Sequence, residues 1–405
     1  MYQNKYTDDF LKFSGKNYLL KEKALRVQMV EEGVILPLKN IGPKGPTLGL
    51  GGVLDSEGRY LIDSASIGKG DTADRFIGKY TYNKEEEDYL DETIFFMGVY
   101  LKHWGHFLVD VVYRLWYVLQ HPEENFRIAY CANKEEEING TYSDFFELLD
   151  IKKSRLIRID RPTRVRKIIL VQPAYMACDY ITQEYKYIFD TLVQKVKDLP
   201  LTPYSKIYLS RMHFKEAKKK EIGEKNIERN FANNGFHVLY MEELSLKEQI
   251  FYISHCKVMA ALSGTLCHNL LFADRDVQMI ILNKTHFINT HQVLINQVVG
   301  ADVYYVDIYK EPYKRFPLSY GGGPFLLVNN KELGSWFEEK QYVYTKDKVG
   351  VKLQNRIKYL HLCLSLTFQQ NIKKMYVWLY YKISKNDWLI GFLRNIRIKI
   401  KGKRQ

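Results

Sequence analysis

Cysteine is sparse in this 405-residue chain: Cys131, Cys178, Cys256, Cys267 and Cys363 are odd in number, scattered, and never spaced as CxxC. A disulfide-stapled scaffold and a thiolate metal knuckle are thereby excluded, and a reducing compartment is expected. Long apolar runs are missing as well, since none reaches the roughly 20 residues that a membrane-spanning helix needs. The opening MYQNKYTDDFLKF has no apolar stretch of leader type, so export is not expected. The glycine run Gly321-Gly-Gly323 precedes no helical pattern, which a phosphate loop would require, and reads as a loop. Disorder is excluded in turn by a hydrophobic content of 46% with 14% aromatics, enough to bury real cores.

Negative charge is nearly absent from the tail. From Val351 to Gln405 thirteen Lys and Arg face a single acid, Asp387, a net of +12. Of the chain's 60 basic and 47 acidic residues, 1–350 therefore keep 47 and 46, a net of +1. A nucleic-acid-binding protein would spread basic charge over a folded groove with stacking aromatics. A neutral body with a charged tail does not fit that class, and no nucleic-acid partner is expected.

The first 90 residues read as short strands and turns, with GGVLDSEGRYLIDSAS a hairpin that turns at Asp55-Ser-Glu-Gly58. Beyond them strands and helices alternate. DETIFFMGVYL is strand-like, and HWGHFLVDVVYRLWYVLQ follows with apolar residues at helical spacing. RIAYCA, RLIRID and RKIILVQP are further strands; YSDFFELLD and ITQEYKYIFDTLVQKVKDL are helices. Leu201-Thr-Pro203 makes a linker. The second half places strands at 206–211, 236–241, 256–262, 277–283 and 303–309, and Ser245-Leu-Lys-Glu248 is a capping box for one of the helices between them. Strands alternating with helices of this length imply a parallel sheet covered on both faces. The expected class is α/β: a β-rich segment (1–90) packed on a Rossmann-like domain (91–200), a second such domain (201–345) facing it across a cleft, and a basic amphipathic helical tail (346–405).

Three segments can carry chemistry. In His103-Trp-Gly-His106-Phe-Leu-Val-Asp110-Val-Val-Tyr-Arg114 a helix would place His103, His106, Asp110 and Arg114 on one face. Such a stripe is either a partly solvated His–Asp pair or a base oriented by a carboxylate, which deprotonation of a hydroxyl requires. Two histidines and an aspartate could also begin a zinc site, but no fourth ligand suggests itself. Ser210-Arg211 ends the strand KIYLSR, and an Arg at the carboxyl end of the first strand of a Rossmann unit points into the ligand crevice. Its planar fork suits a diphosphate, and the lysine-rich loop 215–220 follows. The third segment runs from a buried strand into Ser263-Gly264-Thr265 and a short apolar helix, whose N–H groups can meet a phosphate. There His268 and Asn269 either join the site or tie neighbouring loops.

In order, from about Phe95 to Tyr309, these segments resemble glycosyltransferase family 61, a group that includes many bacterial capsular polysaccharide enzymes. The resemblance rests on His106-x3-Asp110-x3-Arg114, Ser210-Arg211, Glu224, Gly235-Phe236, the run Glu243 to Gln249, and the turn Gly264 to Asn269 with Phe272. Two segments depart from it: Ser263 stands where a His often precedes the glycine, and Lys219, Lys220 and Gly223 replace an Arg- and Asn-containing loop before Glu224. The resemblance implies a GT-B fold, inversion at the anomeric carbon, no metal or other cofactor, and a UDP-sugar donor held mainly by the C-terminal domain. On it, His106 takes the acceptor proton while Asp110 orients the imidazole, or the two exchange roles. Ser210, Arg211, Lys219, Glu243, Gly264, Thr265, His268 and Asn269 would hold the donor, and His103 and Arg114 would support the acceptor or the scaffold. Asp274-Arg-Asp276 has the Asp-x-Asp spacing of metal-dependent GT-A enzymes, but its polar surroundings read as an exposed turn. A GT-B-like transferase adding pyruvyl groups to glycans is the alternative.

The tail has its own pattern. Leu360, Leu362, Leu364, Leu366 and Phe368 alternate with or abut polar residues, and Tyr376, Trp378, Tyr380, Trp388 and Phe392 are types that settle at a membrane–water boundary. Lys373, Lys374, Lys382, Lys385, Arg394 and Arg397 would supply the basic face of an interfacial helix. The expectation is a peripheral protein on the inner face of the plasma membrane, docked on anionic lipid and serving a polyprenyl-diphosphate-linked glycan. A helical hairpin packed on the body, or an oligomer contact, is the other reading.

Overall fold

The computed structural model describes residues 24–42, 46–68, 75–218, 220–287 and 289–384. Lys219 and residues 385–405, with Lys385, Trp388, Phe392, Arg394 and Arg397, lie outside the described residues, as do the side chains of Tyr380 and Lys382.

The first sheet holds β1 (Val27–Lys39), β2 (Leu50–Leu54), β3 (Tyr60–Leu61), β4 (Asp88–Val99), β5 (Arg127–Cys131), β6 (Leu156–Arg158) and β7 (Thr163–Val171), in the order β3-β2-β1-β7-β4-β5-β6. Strands β7, β4, β5 and β6 run parallel, whereas β1 is antiparallel to both β2 and β7. At the hairpin turn the Asp55 carboxylate accepts from the N–H groups of Glu57 and Arg59. The segment 1–90 is not a separate piece laid on the first domain. Its strand β1 pairs with β7 from Val27↔Val171 to Ile35↔Thr163, because buried Val34, Ile35 and Leu36 need a covered sheet position. The boundary expected near residue 90 falls inside β4.

After a short hairpin, β8 (Tyr175–Met176) with β9 (Tyr180–Ile181), the second sheet takes β10 (Lys206–Ser210), β12 (His237–Tyr240), β13 (Val258–Leu262), β14 (Gln278–Asn283) and β15 (Asp302–Asp307). All are parallel, in the order β12-β10-β13-β14-β15. The chain crosses from one side of β10 to the other between β12 and β13. That reversal opens a crevice at the carboxyl ends of β10 and β13. A three-stranded sheet of β11 (Glu221–Ile222), β16 (Tyr309–Lys310) and β17 (Phe325–Leu327) lies beside it.

The helical run α1 (104–120) leaves β4 and is broken. One α turn (Trp104–His106) gives way to a π turn (Phe107–Val111), a 3-10 turn (Val112–Arg114) and α-helix again (Leu115–Gln120). A wide turn adds about one residue, which rotates everything after it by roughly 100°. His106 and Asp110 therefore stay together, but Arg114 leaves their face and turns into the core. It is fully buried and donates to the carbonyls of Met97, Val171, Asp63 and Ala65 and to the Tyr113 hydroxyl. β4, β7 and the 62–65 turn are pinned to one another through this guanidinium.

Further helices are α2 (Thr141–Leu148), α3 (Gln183–Val196), α4 (Glu224–Ala232), α5 (Leu246–His255), α6 (Thr265–His268), α7 (Thr290–Val299), α8 (Lys331–Glu339) and α9 (Val349–Ser384). Ser245 and Glu248 make the expected capping box of α5. A single apolar core runs from the first sheet through α3 and α5 into the second, with Phe189 edge-on to Phe272 at 5.4 Å. Among the described residues no helix is long and apolar enough to cross a membrane.

Arg114→Met should lower stability by roughly 3–5 kcal/mol, because four carbonyls, three of them buried, lose their donor. The urea midpoint of the variant measures it, and a loss below about 1 kcal/mol would show that those carbonyls find other partners.

Candidate functional site

Two helix starts meet at the centre of the molecule, α1 from β4 and α6 from β13. Trp104 Nε1 donates to Asn269 Oδ1 at 2.8 Å. A Cβ on Gly105 would lie 2.9 Å from Thr265 Oγ1, so any larger residue would have to displace the Thr265 side chain. Gly264, with φ of +144°, makes the matching turn from β13 into α6 in a conformation that favours glycine. Above this contact lies a cleft of two lobes, about 470 and 440 Å³, which share His103, Arg211, Phe214 and Thr265.

His106 borders the larger lobe. Its Nδ1 is 2.8 Å from Asp110 Oδ2 and also 2.8 Å from an Arg75 nitrogen, and Arg75 lies 2.9 Å from the same carboxylate oxygen. One ring nitrogen cannot both donate to a carboxylate and accept from a guanidinium. Burial pushes the Asp110 carboxyl up, but the His106 hydrogen bond and the Arg75 charge outweigh it and hold the group below its ordinary range. Ionised Asp110 takes the Nδ1–H, Arg75 pairs with the carboxylate, and Nε2 is left as the basic nitrogen. His103 caps α1 by accepting from the His106 N–H; burial, then His106, depresses its pKa.

The opposite wall is cationic. Arg211 Nε donates to Glu221 Oε2 at 2.7 Å, and Lys284 Nζ donates to Glu221 Oε1 at 2.6 Å. Burial pushes the Glu221 carboxyl up, yet Lys284 and Arg211 together hold it below the usual carboxylate range. Two cations on one anion leave the wall positive. Among the described residues no hydrogen bond or ion pair engages the outer nitrogens of Arg211, whose guanidinium lies over the Phe214 ring at 5.4 Å. Lys220 and the Tyr320-Gly321 loop complete this side.

The other candidates divide. Thr265 borders both lobes and Gly264 the larger. Asn269 is buried, accepts from Trp104, and keeps an amide nitrogen without a partner beside the smaller lobe. His268 borders the larger lobe but is occupied by Gln292 at Nδ1 and Asn289 at Nε2. Burial, then the nearby His291, pushes it down to about 3, so it is a neutral tie between loops. Ser210 is fully buried, donates to Glu228 and accepts from the Met212 N–H, which fastens the loop after β10. Glu243 points away to His213, and Glu242 borders the smaller lobe in its place. Lys219 lies outside the described residues. Asp274 and Asp276 are exposed before β14, at the amino end of the sheet, away from the cleft. Among the described residues the grouping of metal-ligand type is His121, Glu123 and Glu124, at the far end of α1.

Sequence reasoning missed Arg75, Glu221, Glu242, Lys284 and His291. Lys284 and Glu242 could have been found, since each follows the carboxyl end of a parallel strand as Arg211 does. Arg75 sits in a loop with no periodicity to mark it. His291 bonds the Tyr175 hydroxyl, and burial pushes it down to about 4.

Residues 104–280 match the model of the family described as Glycosyltransferase 61. The span contains His106, Asp110, Arg211, Glu221, Gly264 and Asn269. No curated protein matches the chain. The family match supports a glycosyltransferase, hence a transferase with a nucleotide-sugar donor and a glycan acceptor.

Glu224 gives the site a pH signature. It accepts from the Arg211 N–H and the Tyr208 hydroxyl, and burial with the nearby Glu221 charge pushes it up to about 8. A raised carboxyl means the fold binds the proton that the unfolded chain releases, so stability falls as pH rises from about 4.5 to about 8. Glu224→Gln should flatten that part of the melting-temperature profile and exceed wild type above pH 8. An unchanged slope would place the titrating group elsewhere.

Proposed function

We propose that this chain is an inverting, metal-independent glycosyltransferase of GT-B arrangement, moving a sugar from a UDP-sugar to a lipid-linked glycan in capsular or other surface polysaccharide synthesis. One observation carries the reading: within the family-matched span, an oriented histidine from one sheet and an arginine held by a buried acid on the other meet in one cleft.

In this reading the acceptor hydroxyl lies against His106 Nε2. As its oxygen attacks the anomeric carbon, His106 takes the proton and Asp110 stabilises the imidazolium. The bond from that carbon to the diphosphate breaks on the opposite face, inverting the centre, and the electron pair passes to the leaving UDP. Arg211 and Lys284 stabilise the negative charge where it develops. The smaller lobe takes the nucleoside, with Trp104, Tyr142 and Phe214 for the base, Glu242 for the ribose hydroxyls and the spare amide of Asn269 as a donor. The two buried carboxylates of the cleft walls have cations of their own, Asp110 with Arg75 and Glu221 with Arg211 and Lys284, while Glu216 and Glu242 line the rim. In this reading the diphosphate is assigned to the side-chain cations Arg211 and Lys284.

A donor screen tests the class: release of UDP from a nucleotide sugar supports it, and phosphate release from phosphoenolpyruvate would replace it with pyruvyl transfer. His106→Ala and Asp110→Ala should each abolish turnover yet retain donor binding by calorimetry. Arg211→Ala should lower turnover by about two to three decades, the usual worth of one charge-assisted donor to a developing oxyanion. Loss of donor affinity with an undiminished maximal rate in His106→Ala would remove the base from His106. Activity should survive excess EDTA, and rescue of a silenced enzyme by manganese would overturn metal independence.

A further inference from the structure

The helix α9 is thirty-six residues long, and only part of one face is packed. Tyr359 and Cys363, with Leu362 and Leu366, sit on Ile222, Phe316 and Leu326. On the outer side Leu353, Ile357, Leu360, Leu364, Phe368 and Ile372 step by three or four residues and are between 41% and 66% exposed. They form one continuous apolar stripe along about five turns. A stripe of that extent marks an interaction surface rather than ordinary surface scatter.

Charge selects the occupant. Residues 349–384 contain six Lys and Arg and no acid, and 385–405 add seven more against Asp387. Lys352, Arg356, Lys358, Lys373 and Lys374 are exposed on the same helix, around the stripe rather than within it. Pairing two copies of this helix would bring cation-only flanks together, where helix pairs need opposite charges across the seam. An anionic bilayer supplies both missing complements, apolar depth for the stripe and negative charge for its flanks. The stripe is one-sided and no described helix can cross a bilayer, so the helix lies in the plane of the surface. We infer that α9 is an interfacial anchor that docks the chain on membranes containing anionic lipid.

The anchor is also joined to the cleft. In the β11–β17 pair, Glu221 opposes Phe325 and Ile222 opposes Leu326. Glu221 and Phe325 border the larger lobe, whereas Ile222 and Leu326 hold α9. A single pair of strands separates the two. Docking needs no particular chemistry in the cleft; only its use in reaching a lipid-linked acceptor rests on the sugar-transfer reading.

The test is flotation of the full chain with vesicles of phosphatidylcholine alone or mixed with phosphatidylglycerol. The chain should bind the mixed vesicles and be released at high salt. The double variant Leu364→Glu/Phe368→Glu should bind at least about tenfold less, with wild-type thermal unfolding and donor binding. Lys373→Glu/Lys374→Glu should lose the salt-sensitive part. Equal flotation of the stripe variant overturns the anchor. So does a wild-type dimer, seen by sedimentation without lipid, that the stripe variant converts to monomer, because a second copy would then cover the stripe. Wild-type donor binding alongside lost flotation keeps this outcome separate from the cleft chemistry.

Discussion

The close approach of α1 to α6 is the constraint on which the remaining geometry depends. Each helix starts at the carboxyl end of a central parallel strand, where a right-handed crossover leaves its first N–H groups facing a crevice. Gly105 has no Cβ to hold Thr265 away, and Trp104 spans the seam to Asn269. With those starts in contact, His106 lies one turn into one helix and Arg211 just beyond the strand next to the other. His106 and the cation wall thus border a single lobe although they lie far apart in the chain.

Keeping those groups ready in a partly dry cleft raises a charge problem, and both walls solve it by pairing. A lone buried carboxylate or guanidinium would be strongly disfavoured. Asp110 is held ionised by His106 and Arg75, and Glu221 by Lys284 and Arg211. Glu224, which has no ion pair among the described residues, takes the other solution, and burial with the Glu221 charge pushes it up to about 8. Neighbouring carboxyls in one wall therefore reach opposite states, set by whether a cation faces them.

Much of this was legible in the sequence because it depends on short-range pattern. The parallel sheet of the second half follows from apolar runs such as MIILN, and the capping box of α5 from Ser245 and Glu248. The His106–Asp110 pair is a four-residue spacing on a helix. What escaped depended on long-range pairing or on a local irregularity. Strand β1 joins β7 across more than a hundred residues, which periodicity does not report. The π turn at Phe107–Val111 moved Arg114 from the presumed polar face into the core, where it holds carbonyls instead of a substrate. Arg75 enters the site from a loop and has no spacing relation to Asp110. Glu243 was expected at the cleft, whereas the 3-10 turn after the strand puts Glu242 at the smaller lobe and Glu243 beside His213.

The common core beneath the cleft bears on how ligands enter. Many two-domain enzymes open by a hinge between separately cored halves. Here α3 packs against α5 and the 269–272 turn as one apolar layer, and Phe189 touches Phe272 within it. Wide opening would expose that layer and break the Trp104–Asn269 bond, an unfavourable combination for a routine step. At the rim, between the loop after β10 and the Tyr320-Gly321 loop, Lys220 reaches the Gly321 carbonyl. That rim leads directly to Arg211 and Lys284. On the proposed reading, a dianionic diphosphate approaching it would meet positive potential first, and the cations assigned to the leaving group would also guide its arrival.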